Sequence, residues 1–275
     1  MSETRYPGMG PAAAAQRVFA LVLRYVYLLK GSWPRILELA YWPSIQIVLW
    51  GFISKHFTGE VSGAVEAAGA LLAAVLLWDI LFRGQLGYAI SFLEEMWSRN
   101  LGQLFVSPLR PHEMIIALTT ISLIRTLIGV LPAALLAIPL YAFSIFDLGL
   151  PLLAFFVNLM VTSWALGLMV TGLLLRVGLG AESVVWMVMF LIAPVSAIYY
   201  PVSVLPDWLQ AVAWALPTAH VFEGMRAVLF DGVFRLDLLA GAMLLNLFYF
   251  ALGVVIFMWS FRAARQRGLL HQTGE

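Results

Sequence analysis

Long apolar runs divide the sequence, and shorter stretches rich in charged, aromatic or proline residues separate them. The runs cover residues 36–57, 67–90, 114–141, 151–175, 183–200 and 236–261. A helix needs about 20 mostly apolar residues to cross the hydrocarbon core of a bilayer. The pattern therefore predicts an all-α membrane protein with about six transmembrane helices.

Two of the separating stretches have an amphipathic or broken pattern. Residues 12–30 place Arg17, Arg24 and Lys30 among apolar residues, which is typical of an interfacial helix. We expect its basic side chains to meet lipid headgroups, within a cytoplasmic segment covering residues 1–35. In residues 201–235, three prolines leave pieces that are too short to span, so this stretch predicts a re-entrant hairpin in the outer leaflet.

The third stretch, residues 91–111, concentrates charge in the sequence SFLEEMWSRNLGQLFVSPLRP. As a helix over residues 91–105, it places Leu93, Trp97, Leu101 and Leu104 on one side. Glu95, Ser98, Arg99 and Gly102 fall on the opposite side. Two X-Pro pairs then end the helix before the third span. The stretch is either a simple connection or a docking surface for a cytoplasmic partner, with acidic and basic contacts available.

Composition and charge distribution define the environment of the chain. Its residues are 62% hydrophobic and 11% charged, whereas soluble domains carry about 25% charged residues. Basic residues mark cytoplasmic loops, and an inside N-terminus leaves only Lys55, Arg226 and Arg235 on the outer side. The inner side then holds Arg5, Arg17, Arg24, Lys30, Arg35, Arg83, Arg99, Arg110, Arg176, Arg262, Arg265 and Arg267. We expect a multi-pass protein of the cell (inner) membrane with both termini in the cytoplasm.

Sequence motifs for catalysis are missing. There is no cysteine, and neither Lys30 nor Lys55 lies in a P-loop. The four histidines form no close ligand pair, and no Gly-x-Ser-x-Gly is present. The chain is therefore predicted to have no catalytic residues and no metal site, and not to be an enzyme by itself.

Ionisable residues within the spans are candidates for functional roles, because inserting a charged side chain into the bilayer is costly. Asp79 and Arg83 are four residues apart, so they can pair on one helix face. Arg125 has no partner within its own helix. It either pairs with Asp79 across helices or faces a wet cavity, and substrate contact is the alternative to a structural role.

Polar and aromatic residues also gather in the predicted outer hairpin. His220, Glu223 and Arg226 follow one another at three-residue spacing on a helical face. They either hold the hairpin together or line the outer mouth of a pathway. The aromatic residues form either an interfacial belt or a surface that stacks on a sugar or lipid headgroup; they are Tyr199, Tyr200, Trp208 and Trp214.

Two motifs carry a family resemblance that extends over essentially the whole chain. They are E-E-x-W-x-R-N-L…S-P-L before the third span and P-V-S-x-L-P-x-W-L…L-P…E-x-x-R before the sixth. In these two motifs the chain resembles the membrane subunit of an ABC-2-type exporter. This permease family includes O-antigen, teichoic-acid, capsule, nodulation-factor and drug exporters.

The resemblance implies one membrane domain over residues 1–275, paired as a homodimer within membrane lipids and joined to two separate ABC-type nucleotide-binding subunits. ATP and Mg²⁺ would bind those partners, so this chain would hold no cofactor and bind no nucleic acid. Residues of a coupling helix that meets the ATPase would be Glu94, Glu95, Trp97, Arg99, Asn100 and Leu101. Residues of an outer gate or substrate path would be Tyr199, Tyr200, Trp208, His220, Glu223 and Arg226.

The implied function is ATP-driven export of a lipid-linked, glycan or amphipathic substrate. A secondary transporter or channel is one alternative, and it would favour paired ionisable residues at the membrane midplane. A membrane-embedded transferase would instead favour clustered His, Asp or Glu, and an assembly subunit is a third possibility.

Overall fold

A computed structural model describes residues 10–58 and 64–266. Arg5 and Arg267, which entered the charge comparison, and the two ends of the predicted 1–275 domain lie outside these residues. The described chain folds into ten α-helices without a β-strand. They are α1 (Pro11–Lys30), α2 (Trp33–Thr58), α3 (Ala64–Trp97), α4 (Leu101–Val106), α5 (Pro111–Tyr141), α6 (Leu150–Val177), α7 (Val184–Ile192), α8 (Asp207–Trp214), α9 (Pro217–Asp231) and α10 (Leu236–Gln266).

Helix α3 forms the centre of the bundle and packs against α2, α5 and α6. Helices α6 and α10 form another extensive contact. A Cβ atom at Gly253 would lie 2.9 Å from the carbonyl oxygen of Ala165. Glycine therefore lets the backbones of α6 and α10 approach closely, as small residues do at membrane helix contacts.

Six helical segments among the described residues are long and apolar enough to cross a membrane. They are Pro11–Lys30, Trp33–His56, Ala67–Trp97, Pro111–Tyr141, Leu150–Ala181 and Leu236–Gln266. Five of them coincide with predicted spans, and the additional one is α1. The prediction of an all-α, multi-pass membrane protein is confirmed.

The structure differs from the prediction at residues 183–200, which were expected to form one span. Helix α7 and the 3₁₀ turn that follows it end at Val195. At about 1.5 Å per residue, the 12 residues from Val184 to Val195 reach only about 18 Å, less than the hydrocarbon thickness of about 30 Å. Pro194 lacks the N–H that a continuing helix needs, and Ala197 has a left-handed φ of 54°.

The single helix predicted over residues 91–105 is also wrong. Helix α3 continues to Trp97, the chain turns over Ser98–Asn100, and the short helix α4 begins at Leu101. Arg99 adopts a left-handed φ of 56° at this turn, which ends the helical path. We call the bundle end that contains Trp97, Arg110 and Arg176 the inner end, and the end that contains Tyr141 and Leu236 the outer end.

Helices α8 and α9 form the hairpin expected between residues 201 and 235. The Tyr249 hydroxyl donates a hydrogen bond of 3.1 Å to the carbonyl oxygen of Ala215, at the turn between α8 and α9. Tyr249 lies 13 residues into α10, about 20 Å along its axis. The tip of the hairpin therefore lies beside the middle of α10.

Candidate functional site

Three carboxylates collect at the inner end, where α3, α4 and α5 meet. We call Glu94, Glu95 and Glu113 the carboxylate cluster. Glu95 and Glu113 are buried, and Glu94 is 13% exposed. Buried carboxylates require partners because desolvation penalises an isolated charge.

Each member of the carboxylate cluster binds an arginine from another helix. Arg17 of α1 donates to Glu113 at 2.6 and 2.9 Å. Arg24, also of α1, has its guanidinium nitrogens 2.8 and 3.0 Å from the two oxygens of Glu95. These interactions join α1 to the ends of α3 and α5.

Glu94 lies between two further arginines. Arg125 of α5 donates to both of its carboxylate oxygens, at 2.9 and 3.1 Å. Arg35 of α2 approaches it at 3.5 Å. Arg125 was expected to pair with Asp79 or face a wet cavity, but its partner is Glu94, because α3 and α5 pack side by side.

The basic residues of α1 are placed differently from the prediction. Arg17 and Arg24 point to carboxylates within the bundle instead of facing lipid headgroups, whereas Lys30 is exposed. The outward side of α1 is apolar, with Phe19 and Tyr27 more than 60% exposed. Sequence analysis missed this pairing, although Arg17 and Arg24 stand two helical turns apart and so share a face.

The turn before α4 is held by Glu95 as well. The Asn100 side chain donates a hydrogen bond of 2.8 Å to Glu95, and Leu101 is buried. Trp97 donates a hydrogen bond of 3.3 Å to Glu182, in the connection between α6 and α7. Of the predicted coupling residues, the structure therefore buries Glu95 and Leu101, and it exposes Trp97 and Arg99.

What the α3–α5 connection presents outward is basic and apolar. We call its exposed residues the loop surface; they are Trp97, Ser98, Arg99, Gln103, Val106, Ser107, Pro108 and Arg110. Val106 is 82% exposed, and the side chains of the two arginines make no hydrogen bond to a described residue; the backbone N–H of Arg110 donates a hydrogen bond of 3.0 Å to Glu113. The carboxylate cluster lies behind this surface.

Asp79 and Arg83 do not form the ion pair that their spacing predicts. Asp79 is 4% exposed, and its Oδ2 atom has no hydrogen-bond partner among residues 10–58 and 64–266. The same holds for the Nε atom of Arg83. Arg83 instead extends toward α5, where a Cβ atom at Gly129 would lie 2.9 Å from its Cδ atom.

At the outer end, Glu223 and Arg226 hold the irregular segment that follows α7. Glu223 accepts hydrogen bonds from the backbone N–H of Val202 at 2.6 Å and from Arg226 at 3.2 Å. Arg226 donates to the carbonyl oxygens of Ala197 and Ile198, at 2.8 and 3.4 Å. These contacts fasten α9 to the segment that follows α7.

The other predicted gate residues do not join this network. The ring of His220 contacts the Leu216 carbonyl at 3.2 Å and the Trp214 ring at 5.1 Å. Tyr199 stacks on Trp50 with ring centres 4.9 Å apart. Trp208 is 72% exposed, and the Tyr200 hydroxyl donates to the Pro194 carbonyl.

Within the described part of the chain, no three His, Asp or Glu side chains are grouped so that they could hold a metal ion.

A search of curated proteins found no match. The family model described as ABC-2 type transporter matches residues 18–230, a region that includes the inner-end cluster and the outer hairpin. The chain therefore belongs to the ABC-2 type transporter family.

Proposed function

We propose that this chain is the permease subunit of an ATP-driven exporter, powered by ABC-type ATPase subunits on separate chains. The sequence has no P-loop of its own. The observation that carries the proposal is the inner-end arrangement, where an exposed loop surface is joined through the carboxylate cluster to three helices.

A displacement of the α3–α5 connection would pull on these helices together. Glu113 and Glu95 hold α1, while Glu94 holds α2 and α5. Breaking a buried ion pair is costly, whereas the Arg35–Glu94 pair contributes less, because Arg35 is 51% exposed. A partner that moves the loop surface would therefore move the inner ends of the spans as a unit.

Charge complementarity indicates which residues the ATPase groove that receives the loop surface would contain. Arg99 and Arg110 are exposed on the loop surface beside the apolar Trp97 and Val106. We infer that the partner groove contains carboxylates around an apolar floor. Glu94 and Glu95 would then act as positioning residues behind this contact, with Asn100 and Leu101 fixing the turn.

The outer hairpin would close the opposite end of the pathway. Tyr199, Tyr200, Trp208, His220, Glu223 and Arg226 all belong to the segment from the end of α7 to α9. Two copies of the chain would pair in the inner membrane, with both termini in the cytoplasm. The proposed cargo is lipid-linked, glycan or otherwise amphipathic, and it leaves the cytoplasm or the inner leaflet.

The proposal is tested by purifying the tagged chain with an ABC-type ATPase and measuring ATP turnover in nanodiscs. We expect Arg99→Glu combined with Arg110→Glu to reduce ATPase recovery and turnover by about tenfold or more, because the loop surface then repels an acidic groove. The chain itself should keep its melting temperature, since neither side chain is buried.

Arg235→Glu is the matched control, because Arg235 is exposed at the outer end. It should leave assembly with the ATPase unchanged. By contrast, Glu94→Arg with Glu95→Arg should destabilise the chain even without a partner. Full ATPase binding and turnover after the Arg99 and Arg110 reversals would contradict the docking proposal.

A further inference from the structure

Two arginines at the inner end are not paired with the carboxylate cluster, although four others bind it. Arg176 lies in the last turn of α6, and Arg262 lies near the end of α10. Both side chains are exposed, and neither forms a hydrogen bond or an ion pair with a residue of the described ranges. Their charges therefore lack a counter-ion in this part of the chain.

The packing of α6 against α10 brings these two arginines to one place. The helices run side by side in the same direction: the Asn246 side chain donates a hydrogen bond of 2.9 Å to Asn158, and further along both helices Arg176 contacts Trp259. Arg262 follows Trp259 by three residues, so the two share a face of α10. We call Arg176, Trp259 and Arg262 the basic site.

The guanidinium group of Arg176 is held by the ring of Trp259. Its Cζ atom lies 3.2 Å from the ring centre. At this distance the two planes lie parallel, because a guanidinium nitrogen turned toward the ring would clash with it. Stacking uses the flat face of the guanidinium and leaves the N–H donors at its edge directed sideways. These donors are oriented for a planar, bidentate contact with an oxyanion.

Trp259 lies at the depth of the lipid headgroups. Helix α10 begins between the charged residues Arg235 and Asp237, which mark the outer membrane boundary. Trp259 follows Leu236 by 23 residues, about 35 Å along the helix axis, and the hydrocarbon core is about 30 Å thick. Tryptophan and arginine are typical of this depth. The oxyanions that are abundant there are the phosphates of phospholipids.

An apolar stripe of α10 leads from the middle of the bundle to the basic site. Phe248, Leu252 and Val255 are exposed and share the face of Trp259 by their spacing of four, three and four residues. From Phe248 to Trp259 the stripe is about 16 Å long, which is about half the hydrocarbon thickness. It therefore has the length of one acyl chain of a single leaflet, with a phosphate-binding group at its end.

The charge of the basic site selects among phospholipids. Arg176 and Arg262 attract a phosphate, but they repel the ammonium group of a zwitterionic headgroup. An anionic headgroup carries no such cation, so it is favoured by both arginines. A free phosphate ion would meet the same arginines but would leave the apolar stripe uncovered.

We propose that the basic site and the apolar stripe bind one anionic phospholipid of the leaflet at the inner end. Arg176 donates to the phosphate oxygens from the edge of its guanidinium, Arg262 adds the second positive charge, and the stripe contacts an acyl chain. The lipid joins the ends of α6 and α10 and stays with the fold instead of being transported. The proposal does not depend on the proposed transport function.

The test is native mass spectrometry of the full chain in detergent, titrated with phosphatidylglycerol or with phosphatidylcholine of the same acyl chains. We expect one phosphatidylglycerol to bind about tenfold more tightly than phosphatidylcholine, a difference of about 1.4 kcal/mol. A large excess of inorganic phosphate should not displace it, because the acyl chain contributes to binding.

Arg176→Gln should weaken phosphatidylglycerol binding by about tenfold or more, because charge-assisted hydrogen bonds are lost. Arg262→Gln should act in the same direction. Trp259→Leu keeps the net charge but releases Arg176 from its stack, and it should weaken phosphatidylglycerol binding by about threefold or more. The melting temperature of each variant without added lipid should stay unchanged, because these side chains are exposed.

Arg265→Gln is the matched control. Arg265 is also exposed near the end of α10 and also lacks an ion pair within the described chain. It follows Trp259 by six residues, so it points about 120° away from the basic site. Removing this charge should change phosphatidylglycerol binding by less than about twofold.

Four results would overturn the lipid site. Equal binding of phosphatidylcholine would show no selection by charge, and an equal loss in Arg265→Gln would show a diffuse attraction. Displacement by inorganic phosphate would indicate a site for a free anion. A dimer that dissociates in Trp259→Leu while lipid binding is unchanged would show that this face joins two copies of the chain. The ATPase is absent from these measurements, so their failure leaves the docking proposal intact.

Discussion

The backbone of Ala197 is strained, and two charged side chains hold it in place. A non-glycine residue with positive φ costs of order 1–3 kcal/mol and persists where its surroundings fix it. Here φ is 54°, and Arg226 binds the Ala197 carbonyl while Glu223 binds the N–H of Val202. Glu223 and Arg226 therefore stabilise the bend that replaces the second half of a fifth span.

Glu223→Ala tests this local role. It removes the acceptor of the Val202 N–H and the partner of Arg226, so the segment should open locally more often. We expect hydrogen–deuterium exchange of residues 197–205 to be about tenfold faster or more. Exchange in the α3–α4 turn should not change.

The control for this measurement is Glu182→Ala, which removes a carboxylate near the inner end and leaves the Val202 contact intact. Unchanged exchange over residues 197–205 in Glu223→Ala would show that packing alone maintains the bend.

At the scale of elements, α1 is defined by its two faces. Leu21, Tyr25 and Leu29 are buried against the bundle, and Arg17 and Arg24 bind carboxylates of α5 and α3. Its outward side carries Phe19, Leu23, Tyr27 and Leu28. Such a helix is fixed to the bundle by charge and offers its apolar side to the acyl region of the bilayer.

A charge exchange between α1 and α5 tests this attachment. Glu113→Arg places two arginines together in a buried position, so we expect the melting temperature in nanodiscs to fall by about 5–10 °C. Adding Arg17→Glu restores opposite charges and should recover at least half of the loss. The double variant is the internal control, because it has the same amino-acid composition as the unmodified chain and only exchanges the positions of the two charged residues.

A melting temperature of Glu113→Arg equal to that of the unmodified chain would contradict the attachment. So would a double variant that is no more stable than the single one, because the loss would then come from packing at residue 113 and not from the charge of Arg17.

At the scale of the whole molecule, α3 connects the inner end with the middle of the bundle. It carries Glu94 and Glu95 near the loop surface and Asp79 at mid-span. Among the described residues, five buried polar atoms of this helix have neither a hydrogen-bond nor an ion-pair partner; they lie on Asp79, Arg83, Gln85 and Tyr88.

The orientation of the molecule can be measured directly because the sequence contains no cysteine. A chain that carries Gln103→Cys as its single cysteine should react with a membrane-impermeant maleimide only after the membrane is permeabilised. A single Asp147→Cys should react in intact cells or spheroplasts. Both positions are exposed, so access depends on the side of the membrane.

Reaction of Gln103→Cys in intact cells would reverse the predicted topology and remove the loop surface from contact with a cytoplasmic ATPase. The cysteine-free parent chain should remain unlabelled under both conditions.

Much of the architecture follows from the sequence because hydropathy is a local property. Runs of about 20 apolar residues predict spans, and five of the predicted spans coincide with helices of the structure. The prolines of residues 201–217 likewise predict short helices in the outer hairpin. The failures have local causes too: the left-handed turn at Arg99 divides α3 from α4, and Pro194 and Ala197 end α7 early.

The membrane class, the approximate spans and the position of the charged connection between α3 and α5 follow from hydropathy and charge along the chain. Which charges meet depends on how the helices pack: Arg17 binds Glu113 across 96 residues, and Arg125 binds Glu94 across 31. Packing also leaves Asp79 and Arg83 apart, although their spacing allows a pair. Spacing fixes which residues share a helix face, but the rotation and packing of neighbouring helices decide which faces come together.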